Sequence, residues 1–316
     1  MTFADWVRES ARRYQTEPLR KATVTSARAF LHGANRRVVD EYIGTVWWER
    51  NDWDILVIMD AARVDLARET LDVPVNSVWS PASTSIDWIE RHFADEYRDH
   101  WKRAAYVTAN PFADHDTKDA RSADLASKPL GYFDAVYKDC WRKEPVGTTP
   151  PSDVTKRAVE AWNTTDVDKM IVHYMQPHQP FRSTPEWEHV YSNLENLTTG
   201  VNQGGPDIWE RLRNGELERD AVWSAYKDNL WWVWANIHTE LLPEVDGPVL
   251  ITADHGNGLG EWGSWSHHGG DLNPHVRKVP VMGPYTTGLD VADDGVKHHD
   301  AEQVGVDDQL RALGYR

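Results

Sequence analysis

Asp254, His255 and Gly256 stand together in the stretch ITADHGNGLGEWGSWSHHGG, residues 251–270, and His267 and His268 follow twelve and thirteen positions after His255. Carboxylate oxygens and neutral imidazole nitrogens are ligands suited to Zn, Mn or Mg. An adjacent Asp-His pair reaches one ion only where the backbone bends sharply, and Gly256 offers that freedom. A further carboxylate, Asp60, closes an apolar run, and a His/Pro loop, YMQPHQPF, carries His178 five residues after His173. Together these residues suggest a metal centre; a lone Asp-His-Gly would not.

The elements that must position them are short. Apolar runs lie at Ile55 to Met59, in AAYVTANPF (104–112), in DKMIVHYMQPHQPF (168–181) and in GPVLITADHG; VRKVPVMGP (276–284) forms a fifth, weakened by its prolines. Helical spacing follows Asp60, and AYKDNLWWVWANIHTELLPEV (225–245) reads as a long amphipathic helix. Continuously apolar strands alternating with helices predict a mainly parallel sheet covered on both faces. In such α/β sheets ligands bind beyond the carboxyl ends of the strands. Asp60, the His173–His178 loop, Asp254 and His255 all fall at those ends. The polar, Gly/Asn-rich stretch 182–220 reads as a long insertion or lid near them.

The chain of 316 residues carries a formal net charge of −16 and is 40% apolar, enough for a large core. That acidity excludes nucleic acid as the main partner and is read as the halophilic surface of a protein in a salt-adapted cytoplasm. A single cysteine, Cys140, excludes an internal disulfide and a cysteine-based metal cluster. The first residues lack an apolar signal core, and no stretch approaches the length of a membrane span; the expected location is cytoplasmic. Residues 1–43 are the exception in charge, at +3, which leaves −19 on the remainder. Trp6, Val7, Ala11 and Tyr14, then Val24, Ala27, Phe30 and Leu31, predict two amphipathic helices joined near Pro18. The domain division is therefore a basic helical extension, 1–43, and a main domain, 44–316, which the resemblance described below implies is catalytic. The extension either packs on the domain or makes a peripheral membrane or protein contact. The seventeen tryptophans read mainly as core anchors, with glycan stacking as the alternative.

VIMDAARVD, YMQPHQPF and ITADHGNGLGE…SHHGG, in that order over residues 53 to about 284, resemble the alkaline phosphatase/sulfatase superfamily, most of all its sulfatase-like haloarchaeal members. The resemblance implies an α/β fold whose central, mainly parallel sheet is flanked by helices on both faces. It implies one or two divalent metal ions (Zn, Mn or Mg), with Asp60 as first ligand and Asp254 with His255 completing the protein shell. His267 would bind a second metal or the substrate's anionic oxygens. His178 would contact the phosphate or sulfate, or a second metal. His268 takes a place usually filled by a non-ligand, and His173, inside its strand, reads as structural. Arg63, three residues after Asp60, either steadies the substrate or pairs locally.

The family places its nucleophile at a helix N-terminus, where the dipole and free N–H groups favour an anion. Here the matching stretch is VNSVWSPASTSIDWIERHF (75–93). Thr84 with Asp87 forms a capping box, so a helix starts near Ser83 or Thr84, with Ile86, Ile89 and Phe93 on its apolar face. Ser83 is preferred as nucleophile by its distance from Asp87-Trp88, then Thr84, then Ser80. The sulfatase signature Cys/Ser-x-Pro-x-Arg is absent. The expectation is a metal-dependent hydrolase or transferase of phosphate mono- or diesters, acting on a small-molecule or a glycan- or lipid-linked anionic ester. A sulfate ester hydrolase, a non-catalytic metal-binding member of the fold and a tryptophan-based glycan-binding module are the alternatives.

Overall fold

The computed structural model describes residues 3–16, 18–38, 44–114, 123–143, 146–187 and 207–287. A seven-stranded sheet runs in the order β2-β9-β6-β1-β5-β3-β4. Its strands are β1 (Ile55–Met59), β2 (Asn76–Trp79), β3 (Ala104–Thr108), β4 (Tyr132–Ala135), β5 (Lys169–Tyr174), β6 (Gly247–Thr252) and β9 (Lys278–Thr287). A separate two-stranded ribbon joins β7 (Gly258–Leu259) and β8 (Trp265–Ser266). β6, β1, β5, β3 and β4 pair in parallel, and β9 runs antiparallel to both β6 and β2. The sheet is mainly parallel, as the apolar runs predicted.

Residues 55, 57 and 59 of β1 face one core and 56 and 58 the other, the two-residue alternation of a strand buried on both sides. On the first face lie α3 (Val64–Thr70), α5 (Pro151–Thr164) and α6 (Arg219–Asn236); on the second lies α4 (Ser85–His92) with Trp47, Trp48, Trp53 and Trp101. Most described tryptophans are anchors of these cores, whereas Trp262 is 79% exposed. Two helices, α1 (Phe3–Thr16) and α2 (Leu19–Val38), precede the sheet and pack on each other.

Several elements differ from expectation. α6 begins at Arg219 and ends at Asn236, giving way to a wider turn, Ile237–Leu241, and a short 3₁₀ turn containing Pro243, which cannot continue a helix. β9 is ten residues long despite Pro280 and Pro284; it is antiparallel, and the Pro280 carbonyl still accepts the Thr252 hydroxyl. β2, β4 and the β7–β8 ribbon carry no continuous apolar run and were not anticipated. The lid expected in 182–220 falls largely on residues 188–206, outside the described residues.

At the C-terminal end of α4, His92 is fully buried against Trp88, with ring centroids 3.8 Å apart. Nδ1 donates to the Trp88 carbonyl, and Nε2 accepts the Trp47 amide. Burial pushes its pKa down to about 3, far below the ~6.5 of an exposed imidazole. The folded chain therefore refuses a proton that the unfolded chain takes up. The stability this group contributes is complete above pH ~6.5 and is lost as the pH falls from there toward 3, by about 2 kcal/mol at pH 5. Urea unfolding at pH 7 and pH 5 should show this loss. His92→Gln, which keeps one donor and one acceptor, should flatten the dependence by that amount; an unchanged slope would remove His92 as its source.

Candidate functional site

β1 has β6 on one side and β5 on the other, so its carboxyl end meets those of both neighbours. Asp60 follows β1, and Asp254-His255 follows β6 by one residue, so the register alone brings two carboxylates and an imidazole together. Asp60, Asp254 and His255 are all buried, and one ligand atom of each lies within 4.8 Å of the others. His255 Nε2 is 3.5 Å from Asp254 Oδ2 and 3.8 Å from Asp60 Oδ1.

The outer atoms of these groups are tied to the protein. Asp254 Oδ1 accepts the amides of Ala61 (3.0 Å) and His255 (2.8 Å). Asp60 Oδ2 accepts the Asn110 amide group (2.7 Å) and the Ser85 hydroxyl (3.1 Å). His255 Nδ1 lies 3.0 Å from the Gly256 carbonyl, which fixes the proton there and leaves Nε2 a bare lone pair. The inner atoms Asp60 Oδ1, Asp254 Oδ2 and His173 Nε2 are buried without a hydrogen-bond partner. Buried polar atoms are ordinarily paired. A convergent set of orphaned carboxylate oxygens beside a bare imidazole nitrogen fits a divalent cation, and it repeats the pattern in which each ligand's far side is held by an outer hydrogen bond.

Burial, and then the charge of Asp254, drives the Asp60 pKa well above the usual carboxylate range. Burial also works to raise Asp254, but His255, His173 and the Ala61 amide outweigh it and hold the carboxyl ionised far below that range. Ala61 sits between them with φ +62°, a left-handed conformation rare outside glycine. Both of its peptide groups are pinned, its amide to Asp254 and its carbonyl to the Tyr226 hydroxyl.

His178 and His267 complete a row of imidazoles. His267 is 4.2 Å from His255 and 5.2 Å from His178 between ring centroids. Each is oriented through Nδ1: His178 by the Gln179 carbonyl (2.5 Å), His267 by Asn257 Oδ1 (2.6 Å). Asn257 in turn donates to the Tyr226 hydroxyl. Burial lowers His178 to about 4, and burial followed by neighbouring histidines takes His267 well below 6.5. Both rings are neutral at pH 7, with Nε2 available as acceptor or ligand.

Asp60, Asp254, His255, His178 and His267 are thus brought together. Ser83 and Thr84 are not. Ser83 Oγ donates to the His268 carbonyl (2.7 Å) and accepts the Asp271 amide. Thr84 is the N-cap of α4, its hydroxyl accepting the Asp87 amide. Ser80 donates to the Asp254 carbonyl. The hydroxyl that reaches the carboxylates is Ser85, the first residue of α4, with Oγ 3.1 Å from Asp60 Oδ2 and 3.2 Å from His255 Nε2. Asn110 and His173 join the site against expectation. Tyr106 holds His173 Nδ1 at 2.8 Å, and Nε2 then lies 3.6 Å from Asp254 Oδ2 and 3.8 Å from Asp60 Oδ2.

Of the two readings of Arg63, substrate contact and local pairing, the side chain takes the second. Its side chain is 1% exposed, and its five N–H groups meet Asp65, Glu261 and the Asn257 carbonyl. It latches the start of α3 to the loop that carries Asn257 and His267. Gly256 is also needed for another reason than flexibility: a Cβ there would lie 2.2 Å from the His275 carbonyl oxygen.

No protein-family model matches the chain, and no curated protein matches it. Among solved structures it is similar to the C-terminal periplasmic domain of EcEptC from Escherichia coli in complex with Zn, at 15% identity over 74% of this chain and 73% of that one, with a TM-score of 0.47. It is similar to lipooligosaccharide phosphoethanolamine transferase A (EptA) from Neisseria meningitidis, an integral membrane protein, at 12% identity over 83% and 54%, TM-score 0.45. It is also similar to the lipoteichoic acid synthase LtaP from Listeria monocytogenes, at 9% identity over 79% and 70%, TM-score 0.37.

Two expected outcomes follow from the site. Arg63→Gln strips the Asn257 carbonyl, Asp65 and Glu261 of their shared buried donor, while Arg219 and the Leu259 amide still hold Glu261, so thermal unfolding should show a loss of about 1–3 kcal/mol; a variant of full stability with only a raised KM would restore Arg63 to the substrate. Gly256→Ala forces the His275 carbonyl aside and should cost about 1–3 kcal/mol, with divalent-cation affinity measured by calorimetry falling alongside.

Proposed function

We propose that the chain is a metal-dependent hydrolase or transferase of phosphate esters, with the chemistry of the alkaline phosphatase/sulfatase superfamily and Ser85 as nucleophile. The observation that carries this reading is the Ser85 hydroxyl, at the start of a helix and within hydrogen-bond distance of both Asp60 and His255. Asp60, Asp254 and His255 would hold the divalent cation, and their orphaned inner atoms support that assignment. A bound cation supplies charge neutralisation for the ester's anionic oxygens and lowers the pKa of the hydroxyl.

The rest is the work of side chains. Asp60 Oδ2 accepts the Ser85 proton and holds Oγ beside His255 Nε2, whose single lone pair is left for the cation. Ser85 Oγ forms the new bond to phosphorus as the ester's P–O bond breaks, and the serine proton ends on the departing alcohol. Water, or a second alcohol, then takes the phosphoryl group from Ser85 and restores the hydroxyl. The N-terminus of α4 faces the developing negative charge. His178 and His267, fixed through Nδ1, present Nε2 toward the space beside His255, where equatorial oxygens or the leaving group would lie. Phosphate is favoured over sulfate because Ser85 is followed by Ile86, Asp87, Trp88 and Ile89, without the proline and arginine of the sulfatase signature.

The test is turnover of p-nitrophenyl phosphate, bis-p-nitrophenyl phosphate and p-nitrophenyl sulfate in molar KCl with Mn or Zn. Ser85→Ala should lower kcat at least 10³-fold while calorimetry still registers cation binding, whereas Ser83→Ala should stay within about threefold of the parent. Asp254→Ala and EDTA should each abolish turnover. Equal loss in Ser83→Ala, with Ser85→Ala active, would move the nucleophile back to Ser83. A chain that binds the cation but turns over none of the three esters would overturn the general esterase reading.

A further inference from the structure

α1 and α2 form an antiparallel hairpin whose seam is small and polar. Ser10, Ala22 and Ser26 are buried there, and the Trp6 indole donates to the Ser26 carbonyl at 2.8 Å. Two contacts fix how the helices are turned. Trp6 packs on Phe30 with ring centroids 5.3 Å apart, and the Tyr14 hydroxyl donates to Thr23 Oγ1 at 3.2 Å. Val7 and Tyr14 are seven residues apart on α1, and Leu19 and Phe30 eleven apart on α2, so each pair shares one stripe of its helix. The Tyr14–Thr23 and Trp6–Phe30 contacts bring the two stripes to the same side of the hairpin.

That side is not covered. Val7 is 45% exposed, Tyr14 47%, Leu19 73% and Phe30 47%. Of the eight large apolar side chains exposed among the described residues, five lie on this hairpin, the fifth being Val24. Concentration of this kind marks an interaction surface. Arg8 and Arg20 follow Val7 and Leu19 directly, about 100° further round each helix, and both are exposed at the border of the apolar side.

We infer that the α1–α2 hairpin is a docking surface for an anionic lipid bilayer, lying in the interface with Val7, Tyr14, Leu19 and Phe30 toward the acyl chains. The charge distribution selects this occupant. Residues 1–43 carry +3 and the rest of the chain −19, so an anionic surface attracts the hairpin and repels the remainder, which sets the orientation as well as the contact. Two hairpins facing each other would bring like charge together. The body of a second copy offers negative charge, but its exposed large apolar groups among the described residues are Trp79, Trp262 and Leu272 alone. A bilayer supplies both the charge and the apolar depth. No helix among the described residues is long and apolar enough to cross a membrane, so the contact is peripheral. The inference does not depend on the catalytic reading.

The test is co-sedimentation of the full chain with vesicles of phosphatidylcholine alone or with 30% phosphatidylglycerol, in 0.1 M and 1 M KCl. Binding is expected to the anionic vesicles, weakened by salt. Val7→Ser with Leu19→Ser, both exposed and outside the seam, should lower the partition coefficient at least tenfold, and so should Arg8→Gln with Arg20→Gln. Circular dichroism and cation binding should not change in either variant. Absence of binding to anionic vesicles overturns the inference. So does a concentration-dependent dimer, seen by sedimentation equilibrium, that the Val7/Leu19 variant dissolves while vesicle binding is unaffected.

Discussion

Two carboxylates buried within 4.8 Å of each other are the constraint around which the rest of the molecule is arranged. Such a pair repels itself, and burial denies it the water that would screen the charge. The fold offsets this with fixed donors. The amides of Ala61 and His255 hold one oxygen of Asp254, and Asn110 and Ser85 hold one oxygen of Asp60. Each donor takes an outer oxygen and leaves the inner one facing the gap. Without a cation the pair divides, Asp254 ionised and Asp60 protonated with ease. With one, both inner oxygens gain the partner they lack.

The sheet topology makes that arrangement rigid. β1 lies between β5 and β6, so the residues after three adjacent parallel strands share one crevice. The left-handed Ala61 could not persist in a soft environment; it is held because Asp254 and Tyr226 grip the peptide groups on either side. Tyr226, on α6, also contacts Asn257, which orients His267. One helix thereby sets both the bend after the first carboxylate and the tautomer of His267.

The strands of the sheet's centre were legible in the sequence because strands buried on both faces are continuously apolar, and Asp60, Asp254 and His255 were legible because polar residues at the ends of such runs have few structural reasons to be there. β2 was not, because an edge strand with exposed Asn76, Ser77 and Trp79 carries no such run. The hydroxyl that reaches the carboxylates lies one or two residues past the expected Thr84 and Ser83. Thr84 and Asp87 were rightly read as a capping box, yet an N-cap hydroxyl is already engaged with the backbone, so the hydroxyl left to face the carboxylates belongs to the residue after it. Ser85 was therefore within reach of the same argument. Asn110 and His173 were not: one reads as a turn residue before proline, the other as part of a strand, and only the packing of β3 and β5 beside β1 brings them to the carboxylates.

Arg63 changes the electrostatic logic of the site. A guanidinium three residues from the first carboxylate looks like the group that would meet an anionic substrate, but Asp65, Glu261 and the Asn257 carbonyl take its N–H groups and Trp223 lies against its face, and it acts instead as a fastening between α3 and the loop of His267. The positive potential for an anion must then come from the cation and from the N-terminus of α4, because the neutral imidazoles of His178 and His267 present an unprotonated Nε2. In a chain of net charge −16, such a site is hostile to anions when empty and attractive only when loaded. On the proposed reading, substrate binding and cation binding should therefore be one coupled event, with an ester's affinity tracking occupancy of an Asp60–Asp254–His255 cation centre rather than any fixed basic side chain.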